Sequence, residues 1–120
     1  MYQLNNTNKS WDRTGNINYY EEGGGSLDIC SLSLSYDGRV LAIGNPDNDN
    51  NYSGTSFDDG AVTVHFFDRN SQKWGKVGDI IRGGISSYLG RMVGLSQDGT
   101  SLVVGESKGF HTYRLPGAPH

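Results

Sequence analysis

Leu34-Ser-Tyr-Asp-Gly-Arg-Val-Leu-Ala-Ile-Gly44 returns as Leu95-Ser-Gln-Asp-Gly-Thr-Ser-Leu-Val-Val-Gly105, one pattern written twice at an interval of sixty-one positions. Asp37-Gly38 and Asp98-Gly99 are hairpin signals, because glycine takes the positive φ that tight turns require. Ahead of the first copy, Ser31-Leu-Ser-Leu-Ser35 alternates strictly between polar and apolar residues, the mark of a half-buried strand. Behind the turn, residues 39–44 form a nearly continuous apolar run, which suits an inner strand covered on both faces.

Further matches extend the repeat in both directions. Trp11-Asp-Arg-Thr-Gly15-Asn-Ile17 recurs as Trp74-Gly-Lys-Val-Gly78-Asp-Ile80 with W-x-x-x-G-x-I spacing intact, and each tryptophan follows a polar turn. A weaker match pairs Gly60-Ala-Val-Thr63 with Gly109-Phe-His-Thr112. Residues 45–59 are rich in Asn, Asp, Ser and Gly and read as a long loop. Residues 60–67 and 74–81 read as third and fourth strands, and no segment has helical periodicity.

The predicted class is therefore all-β, with antiparallel four-stranded meanders repeated at a period of about sixty residues. Such units at fixed period are the blades of a β-propeller, each of which needs neighbours to bury its faces. About two blades are expected. Residues 1–20 supply strands three and four of one, 28–81 a complete blade, and 90–115 strands one to three of the next. Propellers close with about 4–8 blades. The faces and edges of a two-blade piece therefore call for further blades of the same polypeptide, a homo-oligomer or a complex.

L-S-x-D-G-x-x-L-A-I-G, a loop, G-A-V-x-V and then W-x-x-x-G-x-I resemble the FG-GAP repeat of integrin-α-like β-propellers, over nearly the whole chain. What the resemblance implies is a seven-bladed propeller on the extracellular or organelle-lumen side, serving cell adhesion or protein recognition. The chain departs from the family pattern twice. The second copy, Val104-Gly-Glu-Ser-Lys-Gly-Phe110, has lost most of the long loop, and the aspartate-rich calcium loop lacks a clean counterpart.

Composition narrows the function classes. Hydrophobic content of 34% with 18 glycines in 120 residues fits short strands joined by many turns rather than a thick helical core. A net charge of −3 offers no basic footprint for nucleic acid or an anionic membrane surface. No apolar run approaches the roughly 20 residues of a membrane span, and MYQLNNTNKSW lacks the basic and apolar regions of a signal peptide. The single Cys30 excludes an internal disulfide and reads as a buried, inert thiol. The N-x-S/T acceptors at Asn5, Asn8 and Asn51 lean toward a secretory route.

Two sets of residues are candidates for a site. Asp47, Asp49, Asn51 and Ser53 place oxygen-bearing side chains at positions 1, 3, 5 and 7, with Asp58 at position 12, the hard-oxygen set that calcium requires. Tyr52 stands where an EF-type loop wants glycine, and a solvated Asx turn explains the same composition. The loop aromatics Tyr19, Tyr20, Tyr52, Phe57 and Tyr88 would contact a protein or a glycan, or else cover blade edges. No catalytic constellation is expected: the Ser-x-Asp-Gly turns lack a positioned histidine, and the neighbours Asp58 and Asp59 point apart. The expected function is a non-catalytic protein-interaction or scaffold module and structural subunit of a larger propeller. The alternative is a lectin-like module that uses loop aromatics and Asp/Asn for sugars.

Overall fold

The computed structural model describes residues 2–13, 31–46, 60–84 and 86–116. Cys30 lies outside them. All regular structure among the described residues is β: ten strands, paired antiparallel into three sheets.

A hairpin of β1 (Tyr2–Leu4) and β2 (Trp11–Arg13) stands first. The first sheet is a meander of β3 (Ser31–Leu34), β4 (Val40–Asn45), β5 (Ala61–Asp68) and β6 (Lys73–Lys76). The short β7 (Ile81–Arg82) returns to the free length of β5. The fourth strand expected over residues 74–81 is therefore broken. Val77 still donates its N–H to Val64 O at 2.7 Å before the chain swings out and comes back at Ile81. The second sheet is a three-stranded meander of β8 (Met92–Leu95), β9 (Ser101–Glu106) and β10 (Gly109–Arg114).

The repeat is reproduced at the level of individual hydrogen bonds. In the first turn, Ser35 Oγ donates to Asp37 Oδ1 at 2.8 Å, and Arg39 N–H donates to the same oxygen. In the second, Ser96 Oγ donates to Asp98 Oδ1 at 2.7 Å, and Thr100 N–H does likewise. Gly38 and Gly99 close the two turns at φ 75° and 74°, the left-handed conformation foreseen for the Asp-Gly pairs. The tryptophan hairpins are equally alike. Leu4 opposes Trp11 as Phe67 opposes Trp74, and Lys9 and Gln72 occupy the same turn position at φ 62° and 59°.

One match shifts. Phe67 N–H donates to Arg39 O and Leu115 N–H donates to Thr100 O, both at 2.8 Å, so residues of the third strand correspond at an interval of forty-eight. Lettering alone pairs Gly60 with Gly109; the ladder pairs Ala61 with Gly109, since they oppose Asn45 and Glu106 respectively. The register is set by where the third strand docks on the turn, not by where its glycine falls.

The two sheets pack face to face. Val40, Ala42, Val62 and Val64 on the front of the first sheet meet Leu102 and Val104 on the back of the second, with Leu89 between them. β3 meets this core with serines, not leucines. Ser31 Oγ donates to Gly90 O at 2.8 Å, and Ser33 Oγ accepts the Leu95 N–H at 2.9 Å. Gly44 lies so close that a Cβ on it would strike Gly90 O and Ser31 Oγ. Backbone thus approaches backbone at this edge, as only small residues permit.

Two outcomes test these assignments. Gly44→Ala forces the sheets apart and lowers stability by about 1–3 kcal/mol, whereas Gly75→Ala on the open β6 strand, where a Cβ meets nothing within 4 Å, changes it by about 0.5 kcal/mol or less. Urea titration of the two variants reads the difference.

The hydroxyls of Thr100 and Ser96 and the Thr100 N–H pull the Asp98 carboxyl from its ordinary 3.8 down to about 2. A depressed carboxylate stabilises the fold fully above its unfolded value and loses that contribution as pH falls through the folded one. Thermal melts of Asp98→Asn against the parent chain should therefore differ at neutral pH and converge between pH 3.8 and about 2.

Candidate functional site

Sheet faces that pack in one place are left open in another, and repeat equivalence identifies them. On the second sheet, cross-strand register puts Met92, Gly105 and Phe110 in one row and Gly94, Val103 and Thr112 in the next, all on the face turned away from the core. Met92 is 73%, Phe110 70% and Val103 41% exposed. These positions correspond to Ser31, Val62 and Ala42 of the first sheet, on the face that receives the second sheet. The glycines leave a flat floor between three apolar side chains.

At the other end, Leu32 and Leu34 point off the back of the first sheet, 61% and 48% exposed. Their repeat equivalents are Val93 and Leu95, which pack against the core. The N-terminal hairpin covers part of the same back face. Its strand β1 and the first sheet border a cleft of about 520 Å³ lined by Tyr2, Gln3, Leu34, Tyr36, Arg39 and Phe67, among others. Leu4 and Trp11 share one side of the hairpin with Tyr2, and both are exposed.

Polar chemistry at the cleft is committed to the turn. Partial burial works against ionisation of Asp37, but the Ser35 hydroxyl, the Arg39 N–H and the charges of Arg39 and Arg69 together hold its carboxyl below the usual range. The Ser35 proton is thus directed to Asp37, and the same oxygen accepts the Val40 N–H at 3.0 Å. The Arg39 guanidinium lies 5.0 Å from the centre of the Phe66 ring, a cation–π distance. The pair is a turn clamp, with no imidazole bonded to the serine.

The histidines are held elsewhere. His65 is fully buried in β5, with Nε2 3.1 Å from Thr63 Oγ1. His111, on β10, lies 3.3 Å from Glu106 Oε2 across the β9–β10 hairpin. By ladder position His111 corresponds to Thr63 and Tyr113 to His65, so the two histidines do not form a repeated site.

The calcium candidates Asp47, Asp49, Asn51, Ser53 and Asp58 lie outside the described residues, as do the aromatics Tyr19, Tyr20, Tyr52 and Phe57. Among the described residues no group of three or more His, Cys, Asp or Glu side chains stands together to hold a metal ion. Tyr88 is half-buried in the connection between the two sheets, at φ 54°, beside Leu89, which bridges to Gly60.

Loop composition directed attention away from Leu32, Leu34, Met92, Val103 and Phe110. The signal that finds them is the repeat itself, once each residue is assigned to a face. Among the described residues no helix is long and apolar enough to cross a membrane. No family model matches the chain, and neither does any curated protein or solved structure.

Proposed function

We propose that the chain is a non-catalytic interaction and scaffold module made of about two blades' worth of a β-propeller of FG-GAP type, cut out of phase and working within a larger propeller or complex. Residues 28–81 are the complete blade, 90–115 contribute strands one to three of the next, and 1–20 carry strands three and four of the one before. The observation that carries the reading is the repeated unit. Its turns and tryptophan hairpins recur bond for bond, and its sheets stack front to back in one sense. A sheet that stacks this way presents a further face, and here the front of the second sheet, with Met92, Val103 and Phe110, is apolar and uncovered. Apolar area of this kind on a surface marks a place where another protein binds.

The chemistry of the turns supports the non-catalytic part. Ser-x-Asp-Gly is repeated because the clamp is needed in every unit, which explains the two copies without a reaction.

A photo-crosslinker in place of Val103 on the front of the second sheet, carried by the protein in its native cell, tests the module directly. Crosslinking to another polypeptide chain, lost when the label is moved to the exposed turn residue Lys108, is the expected result. Labelling by solvent alone would contradict the proposal. Binding of the purified chain to an immobilised glycan array would instead favour the sugar-binding function.

A further inference from the structure

We propose that the free edge of β10 pairs with the same edge of a second copy of this chain, antiparallel about a two-fold axis at Thr112, so that two second sheets join into one. The inference goes beyond the propeller reading and does not need it, since it rests on one strand and its ladder. The contact takes an edge and not a face, so the front of the second sheet stays available to another chain.

Repeat equivalence identifies what this edge lacks. β5 holds the same place in the first sheet, and the returning chain covers its outer edge: β6 pairs with residues 65–68, β7 with 61–62, and the Val77 N–H donates to Val64 O between them. Among the described residues β10 pairs only with β9. The Leu115 N–H donates to Thr100 O, and direction alternates along an antiparallel ladder. His111 and Tyr113 therefore turn their backbone groups toward β9, while Phe110, Thr112 and Arg114 turn theirs outward. All three of these are exposed. The usual protection of an edge is missing as well. β6, on the outer edge of the first sheet, carries Lys73 and Lys76, charges of the kind that keep foreign strands away. β10 has neither lysine nor proline between Gly109 and Arg114.

The residues of the strand favour a second copy, and one register of it. Centred on Thr112, the two-fold pairs Thr112 with its own copy, Phe110 with Arg114 and His111 with Tyr113. Outward-facing backbone then meets outward-facing backbone. Phe110, Thr112 and Arg114 share the front by alternation, so an Arg114 guanidinium comes beside a Phe110 ring on each side of the axis. Arg39 and Phe66 already make a pair of this kind within the chain, at 5.0 Å. Thr112 against Thr112 is a favourable cross-strand pair of hydroxyls. Neighbouring registers are worse. Centring on His111 sets Lys108 against Arg114, two like charges, and centring on Tyr113 sets Phe110 against Pro116, which has no N–H to give. The contact uses the same patch on both copies, so it is isologous and closes at two.

Light scattering of the purified 120-residue chain tests the assignment. At about 100 µM, far above the roughly micromolar Kd of a weak specific complex, the expected mass is twice 13.1 kDa. Thr112→Lys and Thr112→Glu, at an exposed position, should each give a folded monomer by circular dichroism, because each sets like charges opposite one another at the axis. Mixed in equal amounts, the two should recover the mass of a dimer. Thr112→Cys in a Cys30→Ser background should form a disulfide-linked dimer on mild oxidation. Partners in a hydrogen-bonded antiparallel pair lie about 5.5 Å apart at Cα, within the reach of a disulfide. Lys108→Cys in the same background, whose two copies lie at opposite ends of the paired strands, should not. A monomeric parent chain would overturn the proposal, as would a Thr112→Lys variant that dimerises as well as the parent or a Thr112→Cys variant that gives no linked product. None of these results decides the interaction module, which stands or falls on the Val103 crosslink to a polypeptide other than this chain.

Discussion

Everything in this structure follows from how closely two β-sheets approach each other along one edge. Packed sheets ordinarily lie about 10 Å apart, a distance set by the side chains between them. At the β3–β8 edge Ser31 and Ser33 reach backbone groups of the second sheet directly, and Gly44 leaves Gly90 no obstruction. The adjoining turns are joined too, by the Tyr36 N–H donating to Gln97 O at 2.9 Å. On the β3 side of this edge only serines face inward, so the first sheet's core valines sit farther along, on β4 and β5. The sheets are thus closer at one edge than at the other, and each presents a wedge-like profile to its neighbour.

That constraint also decides where the leucines go. A strand that spends its serines on the inside must turn its alternate residues outward, and in β3 those are Leu32 and Leu34. In the second sheet the corresponding residues are inside, because there the back face is the one that packs. The chain therefore has direction. Its front and back are chemically different: the front of the second sheet is left bare, while on the back of the first sheet Ile43, Thr63 and His65 are buried and only Leu32 and Leu34 of the edge strand are exposed. Fully burying a single aliphatic side chain of this size is worth about 1.5–3 kcal/mol, so covering Met92, Val103 and Phe110 on the front of the second sheet would favour association.

Much of this was legible in the letters. Asp37-Gly38, Asp98-Gly99 and the two tryptophan hairpins each fell where the sequence placed them, since turn chemistry is local and needs no knowledge of the rest of the fold. Alternation in Ser31-Leu-Ser-Leu-Ser35 gave a period but not a sign: it shows that one side is buried without saying which, and that choice is tertiary. The third strand slipped by one residue because its glycine was matched by identity, whereas the ladder is fixed by the Phe67 and Leu115 amides docking on the turn carbonyls of Arg39 and Thr100. The break between β6 and β7 left no mark in the hydrophobic pattern. The acidic loop and most of the loop aromatics were chosen on composition and fall outside the described residues, while the faces that matter here are ordinary strand residues seen from outside.

The close approach of the two sheets is most directly tested by urea unfolding of Ser33→Val against Leu32→Val, neighbours on opposite faces of β3. The account predicts a loss of about 1–3 kcal/mol for Ser33→Val, which enlarges the side chain where the Leu95 N–H docks, and about 0.5 kcal/mol or less for Leu32→Val at its exposed position. Equal effects from the two would contradict it.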